Sequence, residues 1–331
     1  MYIRSVTESD LTSLYKLVER APAGLTSLPR DQKILHEKIM QSVESEQAAS
    51  GQEWQRILLV LFDPVEQCIT GVSGLEREKS TAPHYTVDNK LERLRLDTTA
   101  ISPVKLGSLL LGDTHRRRGF GGLLSKSRFL YLASLPEELS EYIHAELRGW
   151  VNNDDASPFW ETLGYSLYGD NFSAIDHFRG SQPDAFAFHH LAAHEVPFSL
   201  LNQEVLAKMG QVHPDTKNAL RMLEQENFGR TCHVDILDGG PIVRATTAEI
   251  ATIRNSVICP VTEVSTNDLL SDRWMISNSH SKAFRACLHP AALREGMLHV
   301  HSQTLSTLKI QPGERVRAIL KQSSKQGNIH D

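Results

Sequence analysis

The segment from Val104 to Leu124 restricts the possible folds more than any other part of this 331-residue chain. An apolar stretch leads into the pattern Arg-x-x-Gly-x-Gly, which begins at Arg116, and an amphipathic stretch follows. This order predicts a strand, a glycine-rich turn and a helix. Glycines let the backbone approach an anion closely, and the first N–H groups of a helix have no partners within it. The segment therefore predicts a binding site for a diphosphate.

The turn and the strand before it supply the candidate contacts to a diphosphate-containing cofactor such as coenzyme A. The candidates are Leu109, Leu111, Arg116, Arg118, Gly119, Gly121 and Gly122. An ordinary turn with a solvated basic face explains the short pattern alone equally well. A Walker loop is excluded because Gly-Lys-Ser/Thr is absent. A Rossmann turn would follow the first strand of a βαβ unit, whereas several antiparallel strands precede this one.

The hydrophobic pattern elsewhere predicts an α+β fold. Ile57–Phe62 and Ile69–Leu75 are apolar stretches separated by a turn, as in an antiparallel hairpin. Tyr142–Leu147 reads as a further strand, the chain from Tyr165 as a return strand or loop, and Leu305–Leu320 as a small β element. We predict a mixed, mainly antiparallel sheet flanked by helices.

Composition limits the partners. The chain has 35 basic and 40 acidic residues, a formal net charge of −5, which does not favour nucleic acid. Its apolar runs are too short to cross a membrane, and its N-terminus carries charges where a signal peptide would be apolar. The four cysteines form no CxxC pair, and His189, His190 and His194 lack companions at metal-ligand spacing. We expect a cytoplasmic protein without a metal site.

Six further segments resemble those of the arginine N-succinyltransferase family, in the family's order as far as about residue 245. They are Gly24–Pro29, Leu124–Phe129, Ala145–Gly149, Ser157–Trp160, Gly210–Pro214 and Val234–Pro241. The strand, glycine turn and helix likewise resemble the acetyl-CoA-binding arrangement of the GNAT superfamily. The resemblance implies a GNAT-like acyl-CoA-binding domain at residues 1–180. It also implies a C-terminal domain at residues 181–331 that contributes to the active site.

The resemblance also implies a reaction. Succinyl would pass from succinyl-CoA to the α-amino group of arginine, in arginine catabolism, when the amine attacks the thioester directly. Succinyl-CoA would be a co-substrate, and no tightly bound cofactor is expected. Some relatives act on arginine and ornithine and consist of two related subunits, so ornithine as acceptor and a homo- or hetero-oligomer are both consistent with the resemblance.

Two residues take catalytic or coenzyme-binding roles by resemblance: His213 as proton donor and Leu109 as an acyl-CoA contact. His213 directly precedes Pro214, a favoured first residue of a helix. The positive potential at a helix N-terminus favours a neutral imidazole, which can accept a proton from an ammonium group and return one to a thiolate. A structural histidine at a helix start is the alternative.

Four more residues are candidates whose structural alternatives stay open. Glu146 shares a strand face with His144 and Arg148, so it either orients His213, binds a cationic substrate or forms a buried ion pair. Thr26 and Ser27 either line the acceptor pocket or cap a loop. Asp235 either meets a guanidinium group or belongs to a turn.

The chain also departs from the family pattern. The segment Thr86–Pro103 is shorter than in relatives, and Leu106–Leu111 differs from their usual strand. These differences leave two alternatives: a GNAT acyltransferase for another amine or acyl-CoA, and a non-catalytic partner subunit of a related transferase.

Overall fold

A computed structural model describes most of the chain. The described residues are 1–21, 25, 27–48, 54–77, 83–99, 101–116, 119–135, 140–152, 154, 156–181, 195–265 and 270–321. The strands are β1 (Tyr2–Ser5), β2 (Arg56–Asp63), β3 (Cys68–Arg77), β4 (His84–Asp88), β5 (Arg93–Asp97), β6 (Val104–Leu111), β7 (Tyr142–Glu146), β8 (Glu195–Pro197), β9 (Gly229–Asp235), β10 (Pro241–Thr246), β11 (Val257–Glu263), β12 (Arg273–Asn278), β13 (Arg285–Arg294), β14 (Met297–Val300) and β15 (Arg315–Leu320). The α-helices are α1 (Leu11–Glu19), α2 (Gln32–Gln47), α3 (Phe120–Leu132), α4 (Pro158–Leu163), α5 (Tyr165–Tyr168), α6 (Phe172–Ser181), α7 (Gln203–Lys208), α8 (Lys217–Glu224), α9 (Ala251–Asn255) and α10 (Ser302–Leu308).

The sheet is mainly antiparallel, as the sequence predicts. Its central strands follow the order β1, β2, β3, β6, β7, β10, β9, β4, β5, β8, and β6 and β7 form the parallel pair within this part. The hairpin predicted from the two apolar stretches is β2 and β3. Strands from the second half of the chain lie on both sides of those from the first half, and the boundary at residue 180 remains a prediction.

Strand β2 is buried on both faces because helices cover both sides of the sheet. Leu58 and Val60 pack in one core with the side chains of α1 and α2. Ile57, Leu59 and Leu61 point the other way and pack with α3. Successive side chains along β2 point to opposite faces of the sheet and are buried in two different cores. This explains why the sequence of the strand is continuously apolar.

The chain ends in a small closed barrel. Strands β12, β15, β11, β14 and β13 are neighbours in that order, and β12 also pairs with β13, which closes the ring. The prediction for Leu305–Leu320 was wrong in its first half, because Leu305 and Leu308 belong to helix α10 and only β15 is a strand. These two buried leucines lie three residues apart, the spacing of a helix face.

A second correction concerns the chain from Tyr165, which forms helices α5 and α6 and no strand. Phe172 and Ile175 of α6 are buried at helical spacing in a core with Trp160. In the described parts of the chain, no helix combines the length and apolarity needed to cross a membrane.

Candidate active site

Strands β6 and β7 separate after a short parallel contact. They pair only from Val104 to Leu106 on β6, whereas β6 continues to Leu111. A bulge against β3 falls just beyond the contact, and Ser108 there has a positive φ of 55°. Gly74 opposite fits this bulge closely, because a Cβ on it would lie 3.1 Å from the Ser108 Cβ and the bulge would have to shift by a few tenths of an ångström. The opening between the two strands leaves backbone of β6 facing open space, where pantetheine amides can pair.

The glycine turn lies at the other end of β6. Gly119 precedes α3 with a φ of 84°, which favours glycine. Gly121 and Gly122 lie in the first turn of this 13-residue helix, and a Cβ on Gly122 would meet no atom within 4 Å. Packing within the protein therefore does not require glycine at 122. The open space above the first helical N–H groups suits a diphosphate.

The structure places the other candidates from the turn in different surroundings. Leu111 and Arg116 line a cavity of about 390 Å³ with Lys16 of α1 and Arg20, the residue after that helix. Arg116 is exposed and pairs with Asp113 at 3.1 Å. Arg118 lies outside the described residues, as do Thr26 and the three histidines at 189, 190 and 194. Within the described residues, no cluster of three or more metal-binding side chains is found.

A second site, a cavity of about 320 Å³, opens at the separation of β6 and β7. The cavity is lined by four residues that the sequence predicts at the site: Leu109, Ser27, Glu146 and Asp235. Apart from Arg128, which lies on helix α3, its charged residues divide by sheet position. We call Lys38, Arg56, Glu76 and Lys105, from α2, β2, β3 and β6, the cationic side. We call Glu146, Arg148, Asp176, Arg179, Asp235 and Asp238, from β7, α6 and the end of β9, the acidic side.

The two sides carry opposite formal charge, +2 on the cationic side and −2 on the acidic side when every group is ionised. One ion pair, between Lys105 and Glu146, joins them, and Arg179 forms two more within the acidic side. Lys105 Nζ lies 3.4 Å from Glu146 Oε2, and Arg179 contacts Glu146 at 3.3 Å and Asp235 at 2.6 Å. Burial would raise the pKa of Glu146, but Lys105 and Arg179 outweigh it and lower that pKa. Glu146 is therefore an ionised partner of two cations and a weak proton acceptor.

Asp235 organises the acidic side. Its Oδ1 accepts hydrogen bonds from the N–H groups of Leu237 and Asp238, at 2.7 and 3.3 Å, while Oδ2 binds Arg179. It is thus both a turn residue and the anchor of a buried guanidinium group. Asp238 and Asp176 line the same side, and burial raises the pKa of both, that of Asp176 to about 6. These two carboxyl groups would be stabilised by an added cation.

Ser27 connects the bulge to the cationic side. Its hydroxyl accepts the N–H of Ser108 at 3.2 Å, and its carbonyl accepts Lys38 Nζ at 3.0 Å. The residue therefore holds the loop and also lines the cavity.

His213 lies beside the cavity, at the start of the turn that leads into α8. Its N–H donates to the carbonyl of Arg148 at 2.8 Å, and its own carbonyl accepts the N–H of Thr216 at 2.9 Å. Both of these partners line the cavity. The Nδ1 atom of His213 accepts the N–H of Asp215 at 3.3 Å, which favours the tautomer with the proton on Nε2.

Several site residues were missed from the sequence. Lys38, Asp176 and Arg179 lie on helices whose pattern alone does not show which face meets the site. The signal for Lys38 is a charge three residues after buried Leu35 and four before buried Ser42. Lys321 was also missed: its Nζ would lie 2.9 Å from a Cβ on Gly119, so the end of the barrel brings a cation to the glycine turn.

The separated parallel strands, the bulge and the glycine turn before a helix define the class, an acyl-CoA-dependent N-acyltransferase of the GNAT type. A model of the arginine N-succinyltransferase beta subunit family matches residues 1–252, and that of the beta subunit's C-terminal domain matches residues 257–319. The chain belongs to the arginine N-succinyltransferase family. The family likeness extends through the barrel, so the expected fading near residue 245 was wrong.

Individual relatives agree over nearly the whole length. The arginine N-succinyltransferase of Shigella dysenteriae is 30% identical and covers 96% of this chain and 97% of its own. That of Enterobacter sp. strain 638 is 31% identical with the same coverage. The solved arginine/ornithine succinyltransferase subunit AI of Pseudomonas aeruginosa superposes with a TM-score of 0.83 at 23% identity, over 97% of this chain and 99% of that one. The latter confirms the fold.

Proposed function

We propose that this chain transfers succinyl from succinyl-CoA to the α-amino group of arginine. The observation that carries the proposal is the cavity at the separation of β6 and β7, which presents opposite charges on its two sides. Succinyl is an acyl group with a free carboxylate, and arginine is an amine with a second, cationic group. A site with a cationic and an acidic side complements this pair of substrates.

The proposed reaction is direct. The backbone of β6 near Leu109 pairs with the pantetheine arm, and the N–H groups at Gly121 and Gly122 hold the diphosphate. The thioester carbon then lies near the bulge at Ser108. The amine nitrogen attacks this carbon, the new C–N bond forms and the C–S bond breaks.

His213 handles the proton in this proposal. The neutral imidazole takes a proton from the attacking amine, and the imidazolium gives one to the departing thiolate. Glu146, being ionised and paired with Arg179, holds that guanidinium in place, and Asp176 and Asp238 receive the guanidinium of arginine. We place the reaction in the cytoplasm, in keeping with the free thiols of Cys68, Cys232, Cys259 and Cys287.

The alternative of another acceptor amine rests on the segment 86–103, which departs from the family pattern. Its described residues include the second part of β4 and all of β5, and none of them lines the cavity. Nothing in the described site therefore favours a different amine.

Thiol release with each of several acyl-CoAs against a panel of amines tests the proposal. We expect the highest kcat/KM with succinyl-CoA and arginine, and lower values with ornithine, lysine and uncharged amino acids. Turnover of another amine with no rate on arginine or ornithine would overturn it.

A further inference from the structure

Lys38 is a cation directed at the cavity from helix α2. Its Nζ donates to the Ser27 carbonyl at 3.0 Å and lines the cavity. Among the described residues, no carboxylate oxygen lies within 4.0 Å of this nitrogen. An ammonium group has three donors, so at least one more partner can be accommodated.

The neighbours of Lys38 leave its charge unmet. Glu76 is the carboxylate of the cationic side, and it forms a close ion pair with Arg56. Lys105 reaches across to Glu146. Burial, and the positive charge of Arg56 after it, lower the pKa of Lys38 to about 8, although Glu76 opposes this shift. An ammonium in this setting gains from an anion brought by a ligand.

The position of Lys38 relates it to the reacting bond. Ser27 binds Lys38 through its carbonyl and the N–H of Ser108 through its hydroxyl. One residue thus links the ammonium to the bulge, where the proposed reaction places the thioester. Arg56 and Lys105 lie on the same side of the separated strands. The distal carboxylate of a succinyl group lies two methylenes beyond the thioester carbonyl, so a thioester at the bulge would direct it toward these cations.

We propose that Lys38, with Arg56 and Lys105 beside it, binds the distal carboxylate of the acyl donor and so selects a dicarboxylic acyl-CoA. This inference rests on the proposed function and adds to it the residue that distinguishes succinyl from uncharged acyl groups. The contact is a charge-assisted hydrogen bond, which a methyl-terminated acyl chain of the same length cannot make.

Equilibrium binding of succinyl-CoA and butyryl-CoA, measured by calorimetry without any acceptor amine, tests the inference. Butyryl-CoA has the same chain length and lacks the carboxylate. We expect the wild-type protein to bind succinyl-CoA more tightly, and Lys38→Met to weaken succinyl-CoA binding about 10- to 100-fold with butyryl-CoA within about twofold of wild type. Lys38→Arg, which keeps the charge, should restore much of the preference.

Lys33→Met is the matched control, because Lys33 is exposed on the same helix. It should leave both affinities unchanged. If the methionine variant fails to fold, as judged by its melting temperature, Lys38→Gln provides the same test and retains a donor for the Ser27 carbonyl. Equal weakening of succinyl-CoA and butyryl-CoA by loss of Lys38, or no preference in the wild type, would overturn the inference.

The outcome is separable from that of the proposed function. A preference for succinyl-CoA that depends on Lys38, without transfer to arginine, would refute only the acceptor. Transfer to arginine with no such preference would refute only the role of Lys38.

Discussion

The two sides of the cavity differ in the sign of the charge that their own ion pairs do not neutralise. On the cationic side, Lys38 remains an ammonium bound to a carbonyl, while Arg56 has its own carboxylate. On the acidic side, Arg179 is bound by Glu146 and Asp235, and burial raises the pKa of Asp176 and Asp238. Each side thus satisfies part of its charge internally and retains a surplus of one sign. In the proposed reaction, this difference fixes the orientation of the two substrates in one cavity.

In this account the two charged sides bind the substrates, and neither side transfers the proton. His213→Gln should therefore lower kcat by about 100- to 10,000-fold, because the proton relay is lost while both charged surfaces persist. Single-turnover kinetics and calorimetric binding of each substrate check this separation of effects. His280→Gln, at an exposed barrel histidine, is the control. A near-normal kcat for His213→Gln would return His213 to a structural role.

Removing one negative charge from the acidic side should change the KM for the amine substrate and not the KM for the acyl donor. Asp176→Asn should raise the KM for arginine about tenfold, because one carboxylate partner of the guanidinium is lost. The KM for succinyl-CoA should change little. Asp170→Asn, exposed just before α6, is the matched control in the same assay. An equal rise in both KM values would show that the two sides do not act independently.

A change outside both sides should treat all acyl donors alike. Gly122→Ala places a methyl group in the open space above the start of α3 and should weaken every acyl-CoA about fivefold. Alanine also favours a helix over glycine, so the free energy of unfolding should stay the same or rise by about 0.5–1 kcal/mol. Denaturant unfolding and calorimetry together check the opposite signs. An unchanged affinity for coenzyme A would contradict the proposal that the diphosphate binds at this turn.

The acidic side should also make arginine binding depend on pH. Burial raises the pKa of Asp176 to about 6 in the free protein, against the opposing charge of Arg179, whereas a bound guanidinium would favour the carboxylate. Binding must therefore expel a proton at low pH, so the affinity for arginine falls progressively as the pH drops through about 6. The charged groups around Asp176 are Arg179, Arg148, Asp235 and Asp238.

Calorimetric titration of arginine should give a Kd at least about fourfold higher at pH 5.5 than at pH 7, because Asp176 alone gives that factor and Asp238, whose pKa burial raises to about 8, adds to it. The Asp176→Asn protein should show a flatter profile. A Kd that falls as the pH is lowered would contradict the sign of this linkage.

The sequence predicted the framework of the site better than its charges. The continuous apolar stretches of β2 and β3 and the glycines at 119 and 121 carry local signals, so the hairpin and the strand, turn and helix were predicted correctly. The family motifs supplied His213 and Leu109 as candidates. Local pattern was enough wherever the structure depends on neighbouring residues.

The missed residues depend on tertiary packing. Lys33 and Lys38 look alike in the sequence of α2, and only the packing of that helix on the sheet exposes one and directs the other into the cavity. Asp176 and Arg179 were hidden because the chain from Tyr165 was read as a strand or loop. Without the helix α6, nothing indicated that both point to the end of β9.

A crystal structure with arginine and a non-reactive thioether analogue of succinyl-CoA tests the central claim most directly. The account predicts the distal carboxylate at about 2.7–3.2 Å from Lys38 Nζ and the arginine guanidinium against Asp176 and Asp238. A carboxylate bound on the acidic side, or a guanidinium on the cationic side, would contradict it.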